Sequence, residues 1–485
     1  MCAVCGRGVS QKLRWCLLGL IALAVLARYF SGSSLYAQEA VEGRYDTLPA
    51  KLSAREASRI YPAVNQGLRK SAGFGADQQA VDDYLAKYYL PKMTSDLPED
   101  LAELAKNREK FFKNFIGMAS NSNSKQHLVD LGFKFSRYAA RGNMHPAVRY
   151  NAVLMLGDLD QQPPTNTTPP VPLATATVEL LELVEQAEFN DVPVPESVKL
   201  GALIGLERHA RYGIDPKQKD RLTKAMLAIL ANREPPEDVE KDVHGWVLTL
   251  AAQVLANQYA QDPTQEVQDA LTSLISDEEM GLDDRCKVAA LLKRVDYSKA
   301  AGVDSAATVP ALGQLSLDVV SSGAKKARKY QKELLGGGGF AQPGGFGGGY
   351  GGGGRGGYGG EGGYGGGGGY GGEFGGGRGG FGGGTLEDTG PKFERRQLMA
   401  RLVDIRSGSG SIYKGLQDAE KVQMESLIDE MKPTFAVFED KDAVEVKVTQ
   451  AVIDLETRLK TLLATWKLPA NDEPAKEASD DDFAG

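Results

Sequence analysis

The chain has 485 residues, 42% of them hydrophobic and 25% charged, with a net charge of −8. That is the composition of ordinary globular protein in about two to four domains, and the acidic balance argues against a general binder of nucleic acid or anionic membrane. Of its 59 glycines, 34 fall in one stretch, residues 336–384, with no Gly-X-Y period, so a collagen-like rod is excluded.

Arg7, Lys12 and Arg14 precede a 13-residue apolar run, Trp15 to Ala27, which Arg28 interrupts. A membrane span needs about 20 apolar residues, so residues 1–37 read as a signal peptide cut before Gln38. An uncleaved N-terminal membrane anchor is the alternative. Cleavage leaves a more acidic chain in which Cys286 is the only cysteine. An exported chain with one cysteine has no internal disulfide and must be held by its core. The expectation is a periplasmic, cell-envelope or secreted protein, bacterial in origin.

Residues 38–60 read as a mobile leader. From Tyr61 to Leu335 the pattern is helical, with apolar residues recurring at three and four, as in Leu128, Leu131, Phe135 and Tyr138. Asp215-Pro216 and Asp262-Pro263 both suit helix starts with proline at the first helical position. The most informative segment runs from His145 to Leu159. Pro146 starts a helix, Val148, Ala152 and Leu156 share one face, and Arg149 points off it. Val198, Lys199, Ala202 and Leu206 echo this pattern at an offset of 50. Val247, Ala251 and Leu255 form a weaker third copy, and Cys286, Lys287 and Ala290 a loose fourth. The unit is a helix pair of about 40–50 residues.

Pro-x-Val-Arg-x-x-Ala-x-x-x-Leu-Gly resembles the second helix of HEAT repeats and of the related bilin-lyase-type repeats, over roughly residues 120–300. The resemblance implies an all-α fold, a HEAT-like α-solenoid over 61–335. It also implies that Arg149 and Lys199 pair with a carboxylate of the adjacent repeat. At the third copy Leu248 stands in that place and breaks the ladder. The motif concerns packing and does not say what is bound.

Leu317 to Leu335 reads as a terminal helix with a basic face: Lys325, Lys326, Arg328, Lys329 and Lys332. A solvated capping helix is the plain reading, an anionic docking face the sharper one. The tract that follows, residues 336–384, has eight Phe and Tyr residues and no aliphatic side chains beyond Ala341 and Pro343. It cannot repay the entropy of ordering glycine, so a disordered linker is expected, with a coil span of about 35–42 Å. Three roles stay open: a tether, a sticky segment with Tyr350, Tyr358, Tyr364 and Tyr370 as contact candidates, and RNA binding through two Arg-Gly-Gly triplets. The last is disfavoured, because Glu361 and Glu373 balance the two arginines.

Residues 385–468 return to helical pattern, as a hairpin or three-helix module. Gly408, Gly410 and Gly415 are expected to break its first helix and Pro433 to end its second. The third, Asp442 to Trp466, has spacing that permits coiled-coil pairing, so self-association through 442–466 stands beside a bundle closed on itself. Residues 469–485 form an acidic, disordered tail. The four histidines make no ligand pair at helical spacing, and no nucleophile elbow or phosphate loop appears. No catalytic residue, metal or cofactor is assigned. The expected function is an exported, non-enzymatic scaffold binding an unknown envelope protein through its repeats, with a flexibly tethered second module. The alternative is a structural or adhesive envelope protein acting through the Gly/Tyr/Phe tract.

Overall fold

A computed structural model describes residues 45–336 and 391–466, apart from Asp238, Ala301 and Lys441. The expected signal peptide, the tract after Gly336 with its four tyrosine candidates, and the acidic tail lie outside the described residues. The described chain is all-α. The only strands among the described residues are two hairpins, β1 (Asp160–Gln162) with β2 (Val171–Pro172) and β3 (Glu188–Phe189) with β4 (Val192–Pro193).

Helix α1 (Ala54–Arg69) starts inside the expected leader, where Ser53 and Glu56 form a capping box. Residues 45–60 are therefore not a free leader. The Asp46 N–H donates to the Asn143 carbonyl, the Leu48 N–H to Thr94 Oγ1, and the Lys51 N–H to the Lys87 carbonyl. Next come α2 (Gln78–Tyr84), which passes through a π turn at Leu85–Tyr89, then α3 (Pro98–Ala102) and α4 (Leu104–Lys110), which passes into a π turn at Phe111–Ile116. Tyr84, Tyr89, Phe111 and Phe115 pack edge-on or tilted between the two π turns.

Then the helices come in pairs. They are α5 (Ser122–Arg141) with α6 (Pro146–Asp158), α7 (Ala174–Glu185) with α8 (Glu196–Tyr212), α9 (Pro216–Ala231) with α10 (Lys241–Gln258), and α11 (Gln265–Ser276) with α12 (Leu282–Leu291). The second helices pack in succession, α6 on α8, α8 on α10, α10 on α12. Asp215-Pro216 starts α9, with Asp215 accepting from the Lys217 N–H. Asp262-Pro263 does not start α11, which begins two residues later behind Thr264.

Helix α13 (Thr308–Gly336) packs on α11, and α14 (Pro391–Ile412) packs on α12 and on α13. These two helices flank the tract, yet they stand to each other as first and second helix of a fifth pair. Lys326 reaches Glu394 at 3.4 Å. Helices α15 (Asp418–Glu439) and α16 (Glu445–Thr465) complete the body, α16 lying along α13 and α15. The sequence places a module boundary at the tract, whereas residues on both sides of it belong to one continuous core, from Val64 to Trp466.

Two expectations for this region change. Helix α14 runs through Gly408 and Gly410, because Gly408 lies against the Ala289 carbonyl, where any side chain would collide. Helix α15 continues past Pro433, since Thr434, Phe435 and Phe438 are buried beyond it. The basic face of α13 is partly taken up by the chain's own carboxylates: Arg328 pairs with Glu456, and Lys326 with Glu394. The apolar stripe of 442–466 is likewise turned inward, with Val448, Val452, Leu455 and Leu459 buried.

A polar cleft where two second helices cross

Gly157 of α6 and Gly205 of α8 mark the crossing of their helices. A Cβ on Gly157 would stand 2.7 Å from Gly205 Cα, so only glycine permits this approach. The crossing brings the end of α6 under the side chains of α8. The last carbonyls of a helix lack partners within it. Here the Gly157 carbonyl accepts from Arg208 Nη1 at 3.0 Å and from His209 Nε2 at 3.2 Å. Arg208 Nη2 also bridges both carboxylate oxygens of Asp160, at 2.8 Å each. Its guanidinium stands 5.5 Å from the centre of the Tyr212 ring.

His209 is fully buried, and its two ring nitrogens have different partners. Nε2 must donate to a carbonyl, so Nδ1 accepts from the Thr177 hydroxyl at 2.8 Å. Burial, helped by the charge of Arg208, pulls its pKa down to about 3, so the ring is neutral.

The polar row continues across neighbouring helices. Glu207 accepts from Arg211 at 2.6 Å, from Asn257 of α10 at 3.0 Å, and from Arg294 past α12 at 3.1 Å. On the other side Arg108 of α4 donates to Asn151 at 2.9 Å and stands 3.6 Å from Asp158. Arg108, Tyr150, Asp158, Arg208, Arg211 and Tyr212 line a cleft of about 460 Å³. Asp158 also borders a second cleft of about 680 Å³, bounded by the Phe111–Ile116 π turn, the start of α5 and β1. Burial raises the Asp158 pKa despite Arg108 and Arg208 nearby.

The residues singled out in the sequence lie elsewhere. Val148, Ala152, Leu156, Val198, Ala202 and Leu206 are buried between helices, and Pro146 opens α6. Neither Arg149 nor Lys199 meets a carboxylate of the next pair. Arg149 is buried, donating from Nε to the Ala140 carbonyl at 3.0 Å and from Nη1 to the Pro193 carbonyl at 2.7 Å. Lys199 pairs with Glu196 of its own helix at 2.8 Å.

A different regularity replaces the expected ladder. The fourth residue of each second helix is basic: Arg149, Lys199, His244 and Arg285. Arg285 donates to the Ile275 carbonyl at 2.9 Å and His244 to the Asn232 carbonyl at 3.0 Å. Three of the four thus cap the C-terminus of the preceding helix, where carbonyls are unpaired and the helix dipole favours a cation. The third copy keeps the rule through His244, four residues before Leu248.

Sequence reasoning missed Arg108, Asp158, Asp160, Glu207, Arg208 and Arg294. Their partners are as many as 87 residues apart, beyond the reach of any spacing pattern. The available signal was Gly157 and Gly205, each set within an apolar helix. Of the other histidines, His127 bonds Asp82 at 2.6 Å and His145 caps α6. Cys286 is buried, and burial pushes its thiol pKa up. Among the described residues no three His, Cys, Asp or Glu side chains converge as a metal-ligand set, and no helix is long and apolar enough to cross a membrane. Set against protein-family models, curated proteins and solved structures, the chain matches none of them.

Proposed function

We propose that the chain is an exported scaffold in which HEAT-like helix pairs form a solenoid, and that it holds an envelope protein on the face bearing Arg208. The observation that carries this reading is the polar row from Arg108 through Asp158, Arg208 and Glu207 to Arg294. It runs over successive second helices, as the recognition face of a stacked-repeat protein does. Arginine and tyrosine are the residues that most often anchor protein interfaces. Pull-down from the envelope fraction tests it. The double variant Arg208→Glu, Arg211→Glu loses the partner that the mature chain retains; equal capture by both overturns the reading.

The tract has a second reading, and the packing of its flanks favours it over a tether. Residues 337–390 link α13 to α14, two helices that already touch. A linker between touching helices has no distance to bridge. The tract then acts as an adhesive segment through Tyr350, Tyr358, Tyr364 and Tyr370. Changing these four to serine releases the chain from the envelope on this reading. Retention of the variant equal to that of the unaltered chain overturns it.

A further inference from the structure

We propose that the cleft where the loop before α13 meets the start of α15 binds a linear aliphatic diamine, with one ammonium on the carboxylate of Asp304 and the other on that of Glu420. The site shares no residue with the Arg208 row, and the inference does not rest on the scaffold reading.

The cleft holds about 610 Å³, within the range of about 300–1,000 Å³ usual for small-molecule sites. Gly302 to Ala306 line it from one segment, and Gly415 to Gln417 with Glu420 from another, so each segment brings one carboxylate. No Lys or Arg is among the described residues that line it, and Asp304 and Glu420 give it two negative charges. Lys421, next to Glu420, turns to Asp418 at 3.9 Å. Leu416 is buried beside the cleft and Val303 half-buried, which gives an alkyl chain apolar surface to lie on.

Two buried polar atoms of the lining have no partner. Ser305 is 3% exposed, yet its Oγ makes no hydrogen bond among the described residues, and neither does the buried Glu420 Oε2. A buried polar atom left unpaired is costly, and such atoms are few in folded proteins. Gln265 of α11 holds Asp304 in place, accepting from its N–H at 2.7 Å and donating to its carbonyl at 3.1 Å. One oxygen of the Asp304 side chain accepts from the Ala306 N–H at 2.9 Å, which leaves the other for a ligand. An ammonium offers three donors and no acceptor, so it suits carboxylate and hydroxyl oxygens. A single ammonium leaves one carboxylate unmatched, whereas two joined by an alkyl chain match both. A bare metal ion is a poorer fit, since no three His, Cys, Asp or Glu side chains converge among the described residues.

The test is isothermal titration calorimetry of the full chain with linear diamines of three to six carbons, with n-butylamine and with calcium chloride. One chain length is expected to bind best, about tenfold tighter than n-butylamine. Glu420→Gln and Asp304→Asn should each weaken that diamine about tenfold, the worth of one charged hydrogen bond, and bring it down to the level of the monoamine. Binding no tighter for any diamine than for n-butylamine, equal affinity along the series, calcium bound where the diamines are not, or affinity unchanged in both variants overturns the proposal. Melting temperatures show that the variants are folded, and the dependence on chain length is read in the unaltered protein, so the proposal stays testable if a variant fails to fold.

Discussion

Gly313 of α13 lies under the indole of Trp466, so close that a Cβ on Gly313 would stand 2.5 Å from Trp466 Cζ3. Leu463 presses on the same spot at 2.7 Å. The last described turn of the chain is therefore seated on a helix more than a hundred residues earlier. With Gly408 against Ala289, it ties the helices after the tract to those before it.

Gly313→Val should overpack this contact and destabilise the protein by about 1–3 kcal/mol. The loss should appear as one lowered transition in calorimetry, because both sides of the tract share a core. Two separate transitions in the unaltered protein, only one of them moved by the substitution, would show instead that the helices after the tract unfold on their own.

His209 makes stability depend on pH. Its folded pKa lies near 3 against 6.5 when unfolded, so the unfolded state binds the extra proton. Its stabilisation is fully present above about pH 6.5 and is lost as pH falls toward 3. His209→Gln keeps a donor and an acceptor but does not titrate, so its denaturant midpoint should fall less between pH 7 and pH 4.5. Parallel losses in the two proteins would count against this role.

Asp404 on α14 has the opposite sign. Burial lifts its pKa to about 6, Lys287 opposing and Asp283 adding to the rise. Its folded pKa exceeds the unfolded one, so its contribution is present below about pH 3.8 and lost as pH rises through 6. Asp404→Asn should therefore stabilise the protein at pH 8, by about 1–2 kcal/mol after solvent screening, and by nothing measurable at pH 4. Urea midpoints at the two pH values decide it.

Arg149 and Arg285 hold equivalent places, each donating to a carbonyl near the end of the helix before it. Replacing either with methionine keeps the stem and removes the donors, which should cost about 1–3 kcal/mol. Hydrogen exchange should quicken in the last turn of α5 for Arg149→Met and of α11 for Arg285→Met. Faster exchange spread evenly over the protein would mean that the arginines act only through bulk packing.

The helices themselves were legible because their causes are local. Apolar residues at three and four, Pro146 at a helix start and Asp215 before Pro216 act within a turn or two of chain. The matching positions of α6 and α8 were legible between 145 and 206, where Val198 and Lys199 copy Val148 and Arg149. The continuation past Gly408 and Pro433 was not, since tertiary packing there outweighs a local preference to stop. The polar cleft was equally hidden, because Asp160 meets Arg208, and Glu207 meets Arg294, only once α6, α8 and α10 stack.

The glycine-rich tract divides the two kinds of information most clearly. The sequence alone determined that residues 336–384 lack the side chains to build a core, since composition sets how much apolar surface a segment can bury. Only the tertiary structure decided what lies on either side: α13 and α14 as neighbours in one body. Contacts such as Lys326 with Glu394 depend on where two helices come to rest, and a local sequence pattern carries no measure of that distance.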